Sequence, residues 1–290
     1  MSQDRRTTED GASKQPPGGA PRLWHRRAAV INALAFVLNV AVVGASSVGL
    51  LGRTQKGVSD TFTTLITPAA FAFGIWGPIY SGESAWVVWA LQKGNERARS
   101  VAAVGPWFSI ACALQAVWSV AWAQEALLTS TAILSVVSAC LWASAAGLRR
   151  ARAAGDAPPP NGIEFRSSHF TIALHAGWVL AATLVNVNMA LVGAGAMAAL
   201  QLWAAAASLL ALGAAGTAYG VKRRDLGFGA AIAWALLGAA ANPGARNGRL
   251  SVGAARGLQG VLTAGGVALA AVLARAVRRS AGARRDARRE

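Results

Sequence analysis

Residues 67–83 read TPAAFAFGIWGPIYSGE, an apolar run whose one charge, Glu83, stands at its end. A helix that faces only lipid has no use for two prolines, a tryptophan, a tyrosine and an acid. Successive helical residues turn by about 100°, so Trp76, Tyr80 and Glu83 fall within about 60° of one another on one face. Pro68 is placed to open the helix, where its missing N–H is harmless. Pro78 lies between Trp76 and Tyr80 and is expected to loosen one backbone bond and kink the span. The segment therefore reads as a membrane helix with one polar, aromatic face turned toward protein.

The remainder of the chain has the same character. Its 290 residues are 54% hydrophobic and 14% charged, against about 25% charged in a soluble protein. A helix needs about 20 apolar residues to cross a bilayer. Eight runs approach or meet that length: 28–51, 69–91, 105–124, 127–148, 169–192, 198–220, 226–242 and 257–277. The expected fold class is all-α, a polytopic membrane helical bundle of about eight transmembrane helices. Residues 1–27 read as a disordered tail. Asp4, Glu9 and Asp10 and the lack of an apolar core set it apart from a cleavable signal or an acid-poor transit peptide. GDAPPPNG at 155–162 reads as an extended linker, and 278–290 as a basic C-terminal tail.

The formal net charge of +16 does not imply nucleic acid. Lys and Arg sit in short clusters between apolar runs, with no RNA-binding or helix-turn-helix signature, so no nucleic-acid partner is expected. With a cytoplasmic N-terminus, 23 of the 28 Lys and Arg fall on inner segments and 5 on outer loops, the asymmetry of the positive-inside rule. An even number of spans keeps the basic C-terminal tail inside as well. The expected location is an integral, multi-pass membrane protein with both termini cytoplasmic and the bilayer as a partner. The Arg-rich end, 275–289, reads as a topology signal rather than a lipid-headgroup contact. Cys112 and Cys140 lie in apolar runs without a CxxC partner and read as small apolar filler.

Four spans carry a stripe that mixes tryptophan with hydrogen-bonding groups. The second holds Trp76, Tyr80 and Glu83. The third holds Gln115, Trp118 and Trp122, the fourth Thr131, Ser135, Ser138 and Trp142, and the fifth His175, Trp178, Ala182 and Asn186. Trp24, Trp86, Trp89 and Trp107 are assigned to the interfacial aromatic belt, and the Ser/Thr stripe serves equally well as helix–helix glue. Trp76, Trp118 and Trp178 lie deeper, and a buried indole wants a partner for its N–H. Glu83 is the one acid well inside a span, where ionisation is costly and the side chain faces protein or a water-filled cavity. These stripes are expected to converge on a cavity for a flat, largely apolar ligand.

Pro68, Trp76 and Tyr80, with Gln115 and Trp118-Ser119, and with WVLAATLVN carrying Trp178, Ala182, Thr183 and Asn186, resemble the TspO/MBR family. These are the tryptophan-rich sensory proteins and translocator proteins. The resemblance covers about residues 28–192 and implies that family's five-helix bundle, with 193–277 adding three spans as in its longer relatives. It also implies a hydrophobic, tetrapyrrole-like ligand in a cavity within the bundle, roofed by the loop before the second helix. Here that loop has no Trp, and Gln115 stands where the family has Asn. NVNMALVGAGA lacks the Tyr and basic residue of the sterol pattern, so sterol binding is not implied.

The expected ligand-binding set is Trp76, Tyr80, Glu83, Gln115, Trp118, Trp122, His175, Trp178, Ala182 and Asn186. No catalytic motif is present, so no enzyme, catalytic residue or metal site is expected. No cofactor is required, and a porphyrin is the ligand that the resemblance suggests. His169 and His175 are six apart and face different directions, which excludes a side-by-side metal pair. Binding linked to transport or stress sensing is the first functional reading. A proton-coupled small-molecule transporter using Glu83 is the second. A structural membrane assembly protein, including a homo-oligomer packed through the Gly/Ala-rich last three spans, is the third.

Overall fold

The computed structural model describes residues 20–92, 99–155, 162–246 and 248–286. The central part of the expected inner loop at 92–100, most of the 155–162 linker, the first part of the N-terminal tail and the last four residues lie outside these. Among the described residues every regular element is helical. Helix α1 spans Ala20–Ser47 and α2 spans Gln55–Thr61. A 3-10 turn, Ala70–Ile75, leads into α3, Trp76–Leu91, and α4 is Arg99–Val104. Then come α5, Trp107–Ala123; α6, Leu127–Ala153; and α7, Thr171–Gly193, entered through a π-helical stretch, Phe165–Phe170. Helix α8, Ala198–Ala215, ends in π-helix over Gly216–Lys222, followed by α9, Leu226–Ala240, and α10, Val252–Asp286.

Five helices are long and apolar enough to cross a membrane: Trp24–Ser47, Leu127–Ala153, Phe165–Gly193, Ala198–Lys222 and Val252–Arg278. Helices α5 and α9 are apolar but shorter. Helix α3 has 16 residues, about 24 Å at 1.5 Å per residue, short of the roughly 30 Å hydrocarbon core. The 3-10 turn before it extends the segment by about 12 Å at about 2 Å per residue. Large apolar side chains such as Leu34, Leu128, Trp203, Leu210 and Val261 are exposed, which is what a lipid-facing surface requires. The chain is an all-helical membrane bundle.

Several local expectations need correction. Pro68 does not start a helix; it lies two residues ahead of the 3-10 turn. Pro78 is the third residue of α3, where the backbone N–H has no intrahelical partner to lose, so it marks a helix start and not a mid-span kink. Trp86 is not interfacial: it is fully buried, donates to Ser100 Oγ at 3.3 Å and meets Phe108 edge-on at 5.0 Å. Residues 20–27 are helical and belong to α1. Helix α10 likewise carries on to Asp286, through most of the expected basic tail.

The core does not stop at residue 192. One cluster joins Trp118, Leu134 and Trp178 with Phe228, Ile232 and Leu236 of α9 and Leu262 of α10. A second gathers Phe36, Trp86, Phe108 and Ile172 around α1, α3 and α5. Helix α9 lies against α7 on one side and α10 on the other. Glycine permits the first contact: a Cβ on Gly177 would stand 2.8 Å from the Phe228 carbonyl oxygen, and one on Gly227 would stand 2.2 Å from that of Phe170.

Candidate functional site

A cavity opens where α2, α3, α5, α7, α8 and α9 meet, with about 740 Å³ of unfilled space counting its open mouth. Trp118 and Trp122 of α5 form one wall, with Phe73 of the 3-10 turn and Trp76 at the start of α3. Helix α7 contributes Trp178, Ala182 and Asn186, and α8 and α9 contribute Leu209, Leu212, Ala235, Leu236 and Ala239. Among the described residues no charged side chain lines it. Trp76 and Trp178 cross at 6.2 Å and 89°, Phe73 meets Trp178 at 6.3 Å and 82°, and Trp118 lies 5.6 Å from Trp122. These are the offset and edge-to-face arrangements that aromatic rings prefer.

Each polar lining group has a local cause. Thr54 caps α2 by accepting from Gly57 N at 3.1 Å. This sets Gln55, whose carbonyl accepts the Trp122 indole N–H at 3.3 Å. Asn186 is held by α6: Thr131 Oγ1 donates to its Oδ1 at 2.6 Å, and its Nδ2 donates to Ser130 Oγ at 3.2 Å. Among the described residues the indole N–H groups of Trp118 and Trp178 and the Gln55 amide nitrogen have no hydrogen-bond partner.

Six of the ten expected site residues line this cavity: Trp76, Trp118, Trp122, Trp178, Ala182 and Asn186. Tyr80, Glu83, Gln115 and His175 do not, and form a separate polar cluster behind Trp76. The Trp76 ring stacks on Tyr80 at 5.2 Å and meets His175 edge-on at 5.5 Å. Gln115 Nε2 donates to Tyr80 Oη at 3.0 Å. Glu83 Oε1 and His175 Nδ1 are 2.7 Å apart, with both side chains fully buried. Among the described residues Glu83 Oε2, His175 Nε2 and Gln115 Oε1 have no hydrogen-bond partner. Trp76 is thus the partition between an apolar cavity and a buried polar cluster. The Ser/Thr stripe of α6 does not reach the cavity. Ser135 bonds the Thr131 carbonyl of its own helix, and Trp142 packs on Tyr219 and Phe228.

The segment between α2 and α3, which supplies Ile66 and Pro68 to the lining, is tied down from the C-terminal end of α9. Ala69 N donates to Gly238 O at 2.9 Å, Asn242 Nδ2 to Thr67 O at 3.2 Å and Trp234 Nε1 to Ala72 O at 2.8 Å. Arg246, 1% exposed, donates to Leu65 O at 3.4 Å, Ala239 O at 3.1 Å and Ala240 O at 3.2 Å. A guanidinium at a helix C-terminus meets free carbonyls and the negative end of the helix dipole. Sequence reasoning placed Arg246 in an outer loop as one more charge and had no signal for this role. It also missed the α8 and α9 lining, whose Ala and Leu look like any lipid-facing helix. Among the described residues no group of three His, Cys, Asp or Glu could hold a metal ion, and His169 stacks on Phe165 at 5.0 Å.

A family model described as TSPO-like protein matches residues 29–275, from α1 into the second half of α10. No curated protein and no solved structure matches the chain.

Proposed function

The chain belongs to the TSPO-like protein family, and we propose that it binds a flat, largely apolar small molecule in the aromatic cavity, in a role of transport or stress sensing. The supporting observation is the lining: four tryptophans and Phe73 around one space without a charged group. Rings of this kind bind planar apolar ligands by stacking and edge contacts. A porphyrin remains the first ligand to try. With no cation in the lining, its carboxylates belong at the mouth. The test is titration of the purified full chain with protoporphyrin, read as tryptophan fluorescence. Saturable quenching is expected, weakened in Trp178→Phe and Trp118→Phe. Quenching that is linear in wild type and variants alike would remove the porphyrin.

A second reading rests on the Glu83–His175 pair. An acid and an imidazole sealed inside a membrane bundle mark a proton-handling site by default, so the ligand would move with a proton. Flux in liposomes would then depend on a proton gradient and lose that dependence in Glu83→Gln. Flux unaffected by the substitution would exclude it. The same proposal takes α3, α5 and α9 as spans, which makes eight and places both termini in the cytoplasm. Labelling of single cysteines in the tails from one side of sealed vesicles tests that orientation.

A further inference from the structure

The end of α6, the π-helical entry to α7 and the α8–α9 turn meet in a cluster that contributes nothing to the cavity. Arg149 Nη1 donates to Asp225 Oδ2 at 3.0 Å. Its guanidinium lies over the rings of Tyr219, at 4.9 Å, and Trp142, at 5.7 Å. Arg223 approaches the same Tyr219 ring at 5.3 Å. Arg152 lies over Phe165 at 5.6 Å and adds to the positive potential at Asp225. Of these three guanidinium groups only that of Arg149 has a carboxylate within ion-pair distance among the described residues; Glu164, next to Phe165, is within that distance of none of them. Asp225 is already committed twice, to Arg149 and to the N-cap of α9 through Phe228 N at 3.4 Å. Arg152 and Arg223 are exposed, with no carboxylate in ion-pair reach among the described residues.

The position says what would neutralise them. The membrane-length helices end or begin here: one stops at Ala153, one starts at Phe165 and one stops at Lys222. Exposed Ile163 and Phe170 stand on either side of Phe165 along the entry to α7. Positive groups above apolar side chains at a membrane boundary match a lipid phosphate above its acyl chains. A soluble anion would use only the charged half of that surface. We propose that this cluster is a binding site for the phosphate of an anionic phospholipid, held by Arg152 and Arg223, with Arg149 fixed by Asp225 as its base. The site is independent of the cavity and of any ligand there.

The test uses the full chain purified in detergent, offered equal amounts of phosphatidylglycerol and phosphatidylcholine, with retained lipid counted by native mass spectrometry. Thermal unfolding is followed in parallel with each lipid and with inorganic phosphate. Phosphatidylglycerol should be retained preferentially and raise the unfolding temperature. Phosphatidylcholine and inorganic phosphate should not. Arg152→Gln with Arg223→Gln should weaken phosphatidylglycerol retention by about twenty-five-fold, about fivefold for each arginine. The control pair Arg275→Gln with Arg278→Gln on α10 should leave it unchanged. Equal loss in both double variants would show a generic surface-charge effect and overturn the site. An equal response to inorganic phosphate would overturn the lipid assignment. Where the double variant fails to fold, the wild-type retention ratio decides: a ratio near one refutes the proposal.

Discussion

Removing either partner of the Glu83–His175 pair is expected to cost nearly as much as removing both. The two side chains are fully buried, with Glu83 Oε1 and His175 Nδ1 2.7 Å apart, a short hydrogen bond. Glu83→Ala strands a buried imidazole, and His175→Ala strands a buried carboxyl. In water-soluble proteins, losing one partner of a buried pair costs about 3–5 kcal/mol. A membrane lowers this, because the unfolded helices find other partners; measured couplings of intramembrane hydrogen bonds average about 0.6 kcal/mol and reach about 1.7. Complete burial and the short contact put this pair above that ceiling. Each single variant is expected to lose about 3 kcal/mol and the double about 4, a coupling of about 2 kcal/mol. The volume removed by each truncation appears in single and double variants alike and cancels. The assay is unfolding of the four proteins in mixed micelles with increasing denaturing detergent. Additivity within about 0.5 kcal/mol would refute coupling altogether. A coupling under about 1 kcal/mol would place the pair among ordinary intramembrane hydrogen bonds and refute the larger value.

Arg246→Met removes donors to three carbonyls and should destabilise the chain by about 3 kcal/mol, with faster amide exchange across residues 63–69; unchanged exchange there would count against the tie between α9 and this segment. Arg149→Met leaves Asp225 nearly buried and unpaired and should cost about 3 kcal/mol, part of which Asp225→Asn restores in the double variant. Burial holds the Asp225 carboxyl above its ordinary 3.8, outweighing the pull of Arg149. The folded state therefore keeps this proton where the unfolded state has lost it, so its contribution to stability is full below 3.8 and falls as pH rises through the raised value. As pH rises from 3.8 through the raised value, unfolding of the wild type relative to Asp225→Asn should grow easier; a constant difference would contradict the sign. Truncation after Gly193 takes away Leu209, Leu212, Ala235, Leu236 and Ala239 from the cavity wall and should abolish saturable fluorescence quenching; a truncated, folded chain that still binds would show that α8 and α9 are dispensable.

The fold was largely legible because its signals are local. Apolar length and charge asymmetry mark membrane helices without knowledge of their neighbours, and the observed helices lie close to the expected runs. The face of a helix is equally local: a turn of about 100° per residue put Trp178, Ala182 and Asn186 on one stripe, and all three line the cavity. Where two local rules compete the reading failed. Pro78 looked like a mid-span kink because the apolar run begins at residue 69, but the first turn is 3-10 and the α-helix starts only at Trp76. Trp86 looked interfacial by its place near a span end, yet α4 and α5 close over it.

What remained out of reach were pairings across distance. Glu83 had no partner legible in the sequence, because His175 stands 92 positions away on another helix. Arg246 reaches back 181 positions to Leu65. Helices α8 and α9 are mostly Ala, Gly and Leu, and such residues face lipid or protein according to which helices pack beside them. Local pattern was enough to say that this chain is a membrane bundle with aromatic, polar stripes turned inward. Packing alone decided that the stripes divide at Trp76 into an apolar cavity and a buried acid–imidazole pair, and that α9 helps to wall the cavity. Helix periodicity specifies which face a side chain occupies, while the neighbour it meets depends on contacts that no local pattern encodes.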